Sequence, residues 1–140
     1  MDKVVLQQLA ESAKIASENA YCKYSHFAVG VAVLADNGEI YTGCNVENAA
    51  YGTTSCAEAN AIANAVVNGA QTIQAVFIYT PTERYTYPCG NCRQIISEFS
   101  DGVKATVFSQ CLNVEIHEHS INELLPSGFD DADVLSGRTG

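Results

Sequence analysis

A chain of 140 residues, 47% hydrophobic and 16% charged, carries enough apolar material for one compact domain over residues 1–140 and little room for disorder outside its ends. Seven Lys and Arg against 16 Asp and Glu give a formal net charge of −9, a surface field that repels polyanions and makes nucleic acid a poor partner. No stretch has the apolar length of a bilayer span, and the first ten residues lack the basic-then-apolar order of a secretory signal; no membrane association and a cytoplasmic location are expected.

In chain order, Lys3 to Ala20 sets Val5, Leu6, Leu9, Ala13, Ala16 and Ala20 three and four residues apart, the repeat of an amphipathic helix. Phe27 to Ala35 and Glu39 to Val46 read as two strands joined through Asp36-Asn37-Gly38, residues that tolerate positive φ, and so predict a hairpin. Cys56 to Asn68 carries a helical Ala/Ile/Val stripe closed by Gly69. Ala75 to Tyr79 reads as a buried strand. Gly90 to Phe99 returns to helical spacing after Pro88. Beyond a turn at Asp101-Gly102, Val103 to Phe108 and the shorter Val114 to His117 are predicted strands, and Ile121 to Leu125 forms one or two helical turns halted by Pro126. The segment from about Ser127 reads as irregular, with Asp130, Asp131 and Asp133 as a solvated acidic end. This order predicts an α/β fold in which a mixed five-stranded sheet is covered by helices on both faces.

Six cysteines without an export signal are expected as thiols, which directs attention to metal ligation, catalysis or plain burial. Cys89 and Cys92 form C-x-x-C at the start of one predicted helix, and Cys56 begins another. Two positive helix ends aimed at one point would lower the thiol pKa values and favour the thiolates that zinc requires. Three protein ligands leave one tetrahedral position open, as catalytic zinc sites do. Glu58, two residues after Cys56, is placed to touch whatever fills that position and to act as general acid and base. Three His or Cys ligands, a non-ligand Glu and a downstream P-C-x-x-C form the signature of zinc deaminases. The bland alternatives are buried thiols, a redox pair, or a Glu58 that merely suits a first helical turn. Cys22, Cys44 and Cys111 have no partner spacing and read as small buried hydrophobes; His26, His117 and His119 read as structural histidines.

With these residues in view, the chain resembles the small homotetrameric cytidine deaminases over nearly its whole length. The matching blocks are Ala20-Tyr21 with Tyr24-Ser25-His26-Phe27-Ala28-Val29-Gly30, Thr42-Gly43-Cys44-Asn45-Val46-Glu47-Asn48-Ala49, Cys56-Ala57-Glu58, Pro88-Cys89-Gly90-Asn91-Cys92-Arg93-Gln94 and Leu124-Leu125-Pro126. The resemblance implies a three-layer α/β/α sandwich, one zinc per subunit, and hydrolytic deamination of cytidine and deoxycytidine through a zinc-activated water, in pyrimidine salvage. It implies that Asn45 and Glu47 bind the ribose hydroxyls, that Phe27 packs against the nucleoside and that the backbone N–H of Ala57 holds the pyrimidine carbonyl. A homotetramer with shared active sites is implied too, with Tyr51 and Phe129 at positions like those that complete a neighbour's pocket. Glu47 disfavours a 5′ phosphate beside the sugar, so a nucleoside is expected rather than a nucleotide.

Three positions depart from the family's pattern. Ala59 stands where many relatives carry an Arg that offsets the thiolate charge, and Arg93 is the expected substitute, donating to a sulfur from the second shell of the metal. Tyr87 replaces a common Ser before Pro-Cys, and Asn91 a common Ala between the cysteines. These leave a modified cytosine nucleoside, of the blasticidin S kind or N4-substituted, as an alternative substrate. A non-catalytic zinc module and a nucleic-acid editing deaminase are the rivals from other classes, the latter opposed by the acidic charge.

Overall fold

A computed structural model describes residues 1–100 and 105–136. The elements, in order, are α1 (Lys3–Glu18), β1 (Gly30–Ala35), β2 (Ile40–Cys44), a 3-10 turn (Tyr51–Thr53), α2 (Ala57–Val67), β3 (Ile73–Tyr79), α3 (Gly90–Glu98), β4 (Thr106–Gln110), β5 (His117–Ser120), α4 (Ile121–Leu124) and α5 (Asp131–Ser136). The sheet runs β2-β1-β3-β4-β5. Only β3 and β4 are parallel, with α3 as their crossover; the other neighbours pair antiparallel. The sheet is therefore mixed and five-stranded, as the sequence implied.

Alternation along the central strands divides the core into two layers. Ala32, Ala75, Phe77 and Phe108 face α1 and its Leu9 and Ala13. Val31, Val33, Val76, Ile78 and Val107 face the opposite way, against Ala61, Ile62 and Ala65 of α2, Ile96 of α3 and Ile121 of α4. Each fully buried aliphatic or aromatic side chain contributes on the order of 1.5–3 kcal/mol through removal from water, and the two clusters hold α1 on one face and the remaining core helices on the other.

Register explains why one end of this sheet can gather a site. Gly30, the first residue of β1, pairs with Cys44, the last paired residue of β2, and also with Tyr79 at the end of β3. The segments that precede β1, follow β2 and follow β3 consequently emerge at the same edge. The N-terminus of α2 is brought to that edge by close approach to β2. A Cβ on Gly43 would stand 2.3 Å from the backbone nitrogen of Ala61 and 2.7 Å from the carbonyl oxygen of Ala57. Only a residue without a side chain permits that helix–strand distance.

Some predicted boundaries move. The first strand begins at Gly30 rather than Phe27, because the Asn45 side chain, rather than a neighbouring strand, accepts from the Val29 N–H and donates to the Phe27 carbonyl. The last strand is His117–Ser120, not Val114 to His117. Val114 is exposed, with its carbonyl held by Gln110 Nε2 at 2.9 Å, and the strand runs instead into a capping box in which Ser120 and Glu123 satisfy each other's backbone N–H groups. Nor is the segment after Ser127 wholly irregular: Asp130 accepts from the Asp133 N–H at 3.3 Å and Asp133 from the Asp130 N–H at 2.9 Å, opening α5 in the manner of a cap. The predicted turn at Asp101-Gly102 and the start of the following strand at Val103 lie outside the described residues.

Candidate active site

Two helix starts supply the sulfur atoms. Cys56 is the N-cap of α2 and Cys89 that of α3, both extended in backbone and neither using its side chain to cap. Each thiol is thus left to point off its helix end. Cys92 lies one turn into α3 and is buried. The three Sγ atoms lie within 4.8 Å of one another. Tetrahedral zinc with bonds of about 2.3 Å would set its sulfurs about 3.8 Å apart, so the donor set fits a zinc ion with a contraction of at most about 1 Å. It is the one His/Cys/Asp/Glu cluster of this kind among the described residues, and it contains no fourth protein ligand.

The protein groups around Cys56 and Cys92 raise these two thiols rather than lower them. Burial pushes Cys56 up, and the charges of Glu58 and Cys89 add to the push. Cys92 is raised further by burial and then by Glu58 and Cys56. Desolvation and like-charge crowding favour the neutral thiols there, and a divalent cation at the shared point would supply the opposite charge.

Glu58 is 7% exposed, in the first turn of α2. Burial raises its pKa, opposed by hydrogen bonds from its own backbone N–H and from the Cys92 thiol. A carboxyl held above its ordinary range gains a proton more readily, which suits a group that must take one and return it.

Beside the thiols opens a cavity of about 260 Å³, with Phe27, Asn45, Ala57, Glu58, Tyr87 and Cys89 in its walls. Ala57 is the first residue of α2, where a backbone N–H has no intrahelical acceptor and is available to a ligand. Asn45 lines the cavity while bracing its rim: Oδ1 accepts from Val29 N at 2.9 Å and Nδ2 donates to Phe27 O at 2.8 Å. Glu47 lies in an adjoining cleft with Tyr24 and Tyr51, and Thr54 belongs to both spaces. Its carboxylate accepts from the N–H groups of Tyr24 and Ser25 and from the Ser25 hydroxyl, contacts led by that hydroxyl that hold its pKa below the ordinary value.

Other expected residues fall elsewhere. Tyr51 is 79% exposed in the adjoining cleft, and Phe129 is 60% exposed outside the cavity, its carbonyl accepting from Gln94 Nε2. Arg93 makes no hydrogen bond to a sulfur. Nε donates to the Pro88 carbonyl at 2.7 Å and Nη1 to the Leu124 carbonyl at 2.8 Å, because the side chain leaves α3 toward the neighbouring backbone. It ties the residue before Cys89 to the end of α4. Ala59 opens onto an apolar groove between α2 and α3. Cys22, Cys44 and Cys111 stay out of the thiol cluster, as expected. Thr54, Ser55 and Thr86 line the cavity without having been singled out in the sequence, since nothing marks isolated hydroxyl residues in loops as a wall.

Fold and site together define a class: an α/β/α sandwich that carries a three-thiol metal site and a buried carboxyl at one end of its sheet. The profile described as "Cytidine and deoxycytidylate deaminase zinc-binding region" matches residues 4–110. A cytidine deaminase of Sporosarcina psychrophila is 42% identical over 92% of this chain and 94% of its own length, and one of Halalkalibacterium halodurans is 38% identical over 91% and 96%. The crystal structure of cytidine deaminase from Burkholderia pseudomallei superposes with a TM-score of 0.83 at 35% identity, covering 92% of this chain and all of that one. The chain belongs to the zinc-dependent cytidine deaminase family.

Proposed function

We propose that the chain hydrolyses the 4-amino group of cytidine and deoxycytidine, giving uridine or deoxyuridine and ammonia. The carrying observation is the meeting of three thiols and a buried Glu58 at one nucleoside-sized cavity. Cys56, Cys89 and Cys92 hold the zinc, which when bound supplies the electrophilic centre that makes a water nucleophilic at neutral pH. Glu58 accepts one proton from the attacking water and delivers it to ring nitrogen 3, then takes the second from the hydroxyl added at carbon 4 and delivers it to the departing amine, so that the carbon–nitrogen bond breaks and the 4-keto product keeps its N3–H. The Ala57 N–H orients the pyrimidine carbonyl, and Phe27 packs against the nucleoside. Asn45 and Glu47 receive the ribose hydroxyls with the hydrogen-bonding capacity their backbone contacts leave over. Arg93 supports the metal loop by gripping the Pro88 carbonyl.

Residues 1–140 form one domain in this reading, and the protein works in the cytoplasm in pyrimidine salvage. It assembles as a homotetramer with shared active sites. Supporting the assembly are the apolar groove along Ala59, Ile62, Val66, Val67, Ile95 and Phe99, and the rings of Tyr51 and Phe129, which the other described residues leave largely exposed. The charge of −9 argues for a free nucleoside over a polynucleotide.

An ultraviolet assay on zinc-replete protein with cytidine, deoxycytidine, an N4-substituted cytidine and short oligonucleotides tests the reading, with Glu58→Gln as blank. Turnover of the two plain nucleosides is expected. Turnover confined to the modified nucleoside or to oligonucleotides would displace it, and inactivity on all four would leave a zinc-binding module.

A further inference from the structure

Residues 80–89, between β3 and α3, form a long connection, yet Thr86, Tyr87 and Cys89 all belong to the cavity wall. Backbone bonds from the Thr80 N–H to the Gln110 carbonyl and from the Leu112 N–H to the Thr82 carbonyl fix the start of this segment, and Arg93 holds its end at the Pro88 carbonyl. Between those anchors, Tyr85 and Tyr87 are held by side-chain contacts to β5 and the residues just before it, at the far edge of the sheet. Tyr87 Oη and His117 Nδ1 are 2.7 Å apart. The Tyr85 ring lies flat on His117, with centroids 3.5 Å apart and planes 9° from parallel, and its hydroxyl donates to the Glu115 carbonyl at 2.6 Å. Tyr87 also meets His119 edge to face at 5.2 Å. His117 is thus clamped on one face by Tyr85 and committed at Nδ1 to Tyr87, two residues before a metal-site cysteine.

We propose that His117 is a positioning residue for substrate binding: through Tyr87 it sets the wall formed by Thr86 and Tyr87. The inference deepens the deaminase reading of this cavity and rests on it. His117 touches no reacting atom, so losing it affects how well the cavity holds substrate rather than proton transfer at Glu58. A wall that contacts the substrate equally in ground and transition states changes KM and leaves kcat alone. Tyr87, a departure from the family's common Ser, then has an assigned partner, and His117 is more than a structural histidine.

The test compares Tyr87→Phe, His117→Ala, His117→Asn and the double variant Tyr87→Phe/His117→Ala on cytidine, with zinc content and melting temperature measured for each. Tyr87→Phe removes one oxygen and keeps the ring, so the test survives if His117→Ala folds poorly. Loss of one hydrogen bond at the wall is expected to raise KM about fivefold to tenfold, with kcat within about twofold. Asn, whose amide stands near the place of Nδ1, should recover much of the loss, and the double variant should be no worse than the more impaired single variant. The His117 Nδ1 nitrogen resonance should move in Tyr87→Phe, a change that loss of stability alone does not produce. Unmoved KM values in both Tyr87→Phe and His117→Ala, or an unmoved Nδ1 resonance, would overturn the inference while wild-type turnover stands. Absence of turnover by the wild-type protein would instead strike the deaminase reading beneath it.

Discussion

At the scale of single residues, the proposed chemistry gives Glu58 and the three cysteines separate duties, which predict separable defects. Glu58→Gln keeps the volume and removes the proton acceptor. Its kcat is expected to fall about 10²–10⁴-fold, while zinc bound per chain, read by metal analysis, stays at the wild-type level. Loss of zinc along with activity would show that the carboxyl holds the metal instead. Glu47 behaves differently because its hydrogen bonds favour the charged form. A carboxyl whose folded pKa lies below its ordinary 4.5 stabilises the fold above that pH, and the contribution disappears as pH falls through the lower folded value. Urea midpoints of wild type and Glu47→Gln should therefore differ at pH 7 and converge below pH 4.5. Asp36, lowered chiefly by the Gln71 N–H, titrates in the same sense and belongs to both proteins, so it cancels from the comparison. Arg93 shows where residue-level reasoning stops. Its place after Cys92 suggested a sulfur partner, whereas two backbone carbonyls were nearer to hand.

At the scale of elements, the site depends on how closely α2 lies on β2. Gly43→Ala would drive a methyl group into the backbone of Ala57 and Ala61, and the helix that carries Cys56 and Glu58 has to move away. A loss of about 1–3 kcal/mol in urea unfolding is expected, together with faster release of zinc to a chelator. Gly52→Ala, at a position with open space around it, is the control and should do neither. Elements with strong periodicity were legible in the sequence: α1, the hairpin, α2, β3 and α3 lie within a few residues of their expected bounds. The last strand was displaced because His117–Ser120 is polar and lacks an alternating pattern; β4 and the Ser120 cap select its register. The helix Asp131–Ser136 was missed because an Asp-rich run reads as solvated, and the reciprocal Asp130–Asp133 bonds that start it are local geometry.

At the scale of the molecule, the apolar groove between α2 and α3 is left uncovered by the other described residues. Val67 is 80% exposed on it. If this face is where subunits meet, light scattering should give four chains for the wild type and fewer for Val67→Glu, since a carboxylate buried there without a counter-charge opposes association. A Val67→Glu protein that kept the wild-type mass would move the interface elsewhere. If the exposed Tyr51 and Phe129 complete neighbouring pockets, the smaller species should lose activity as well as mass.

The sequence by itself determined the candidate donor set: Cys56-Ala57-Glu58 and Pro88-Cys89-Gly90-Asn91-Cys92 place three thiols and a carboxyl at helix starts, where spacing along the chain is spacing in space. Tertiary structure decided what depends on elements far apart in sequence. The edge where β1, β2 and β3 deliver their loops is a matter of strand register. The upward shifts of Cys56 and Cys92 follow from burial and crowding, which exist only once two helix ends meet. The contact between Tyr87 and His117 spans thirty residues that no periodicity connects, and only the folded sheet brings that histidine to the cavity wall.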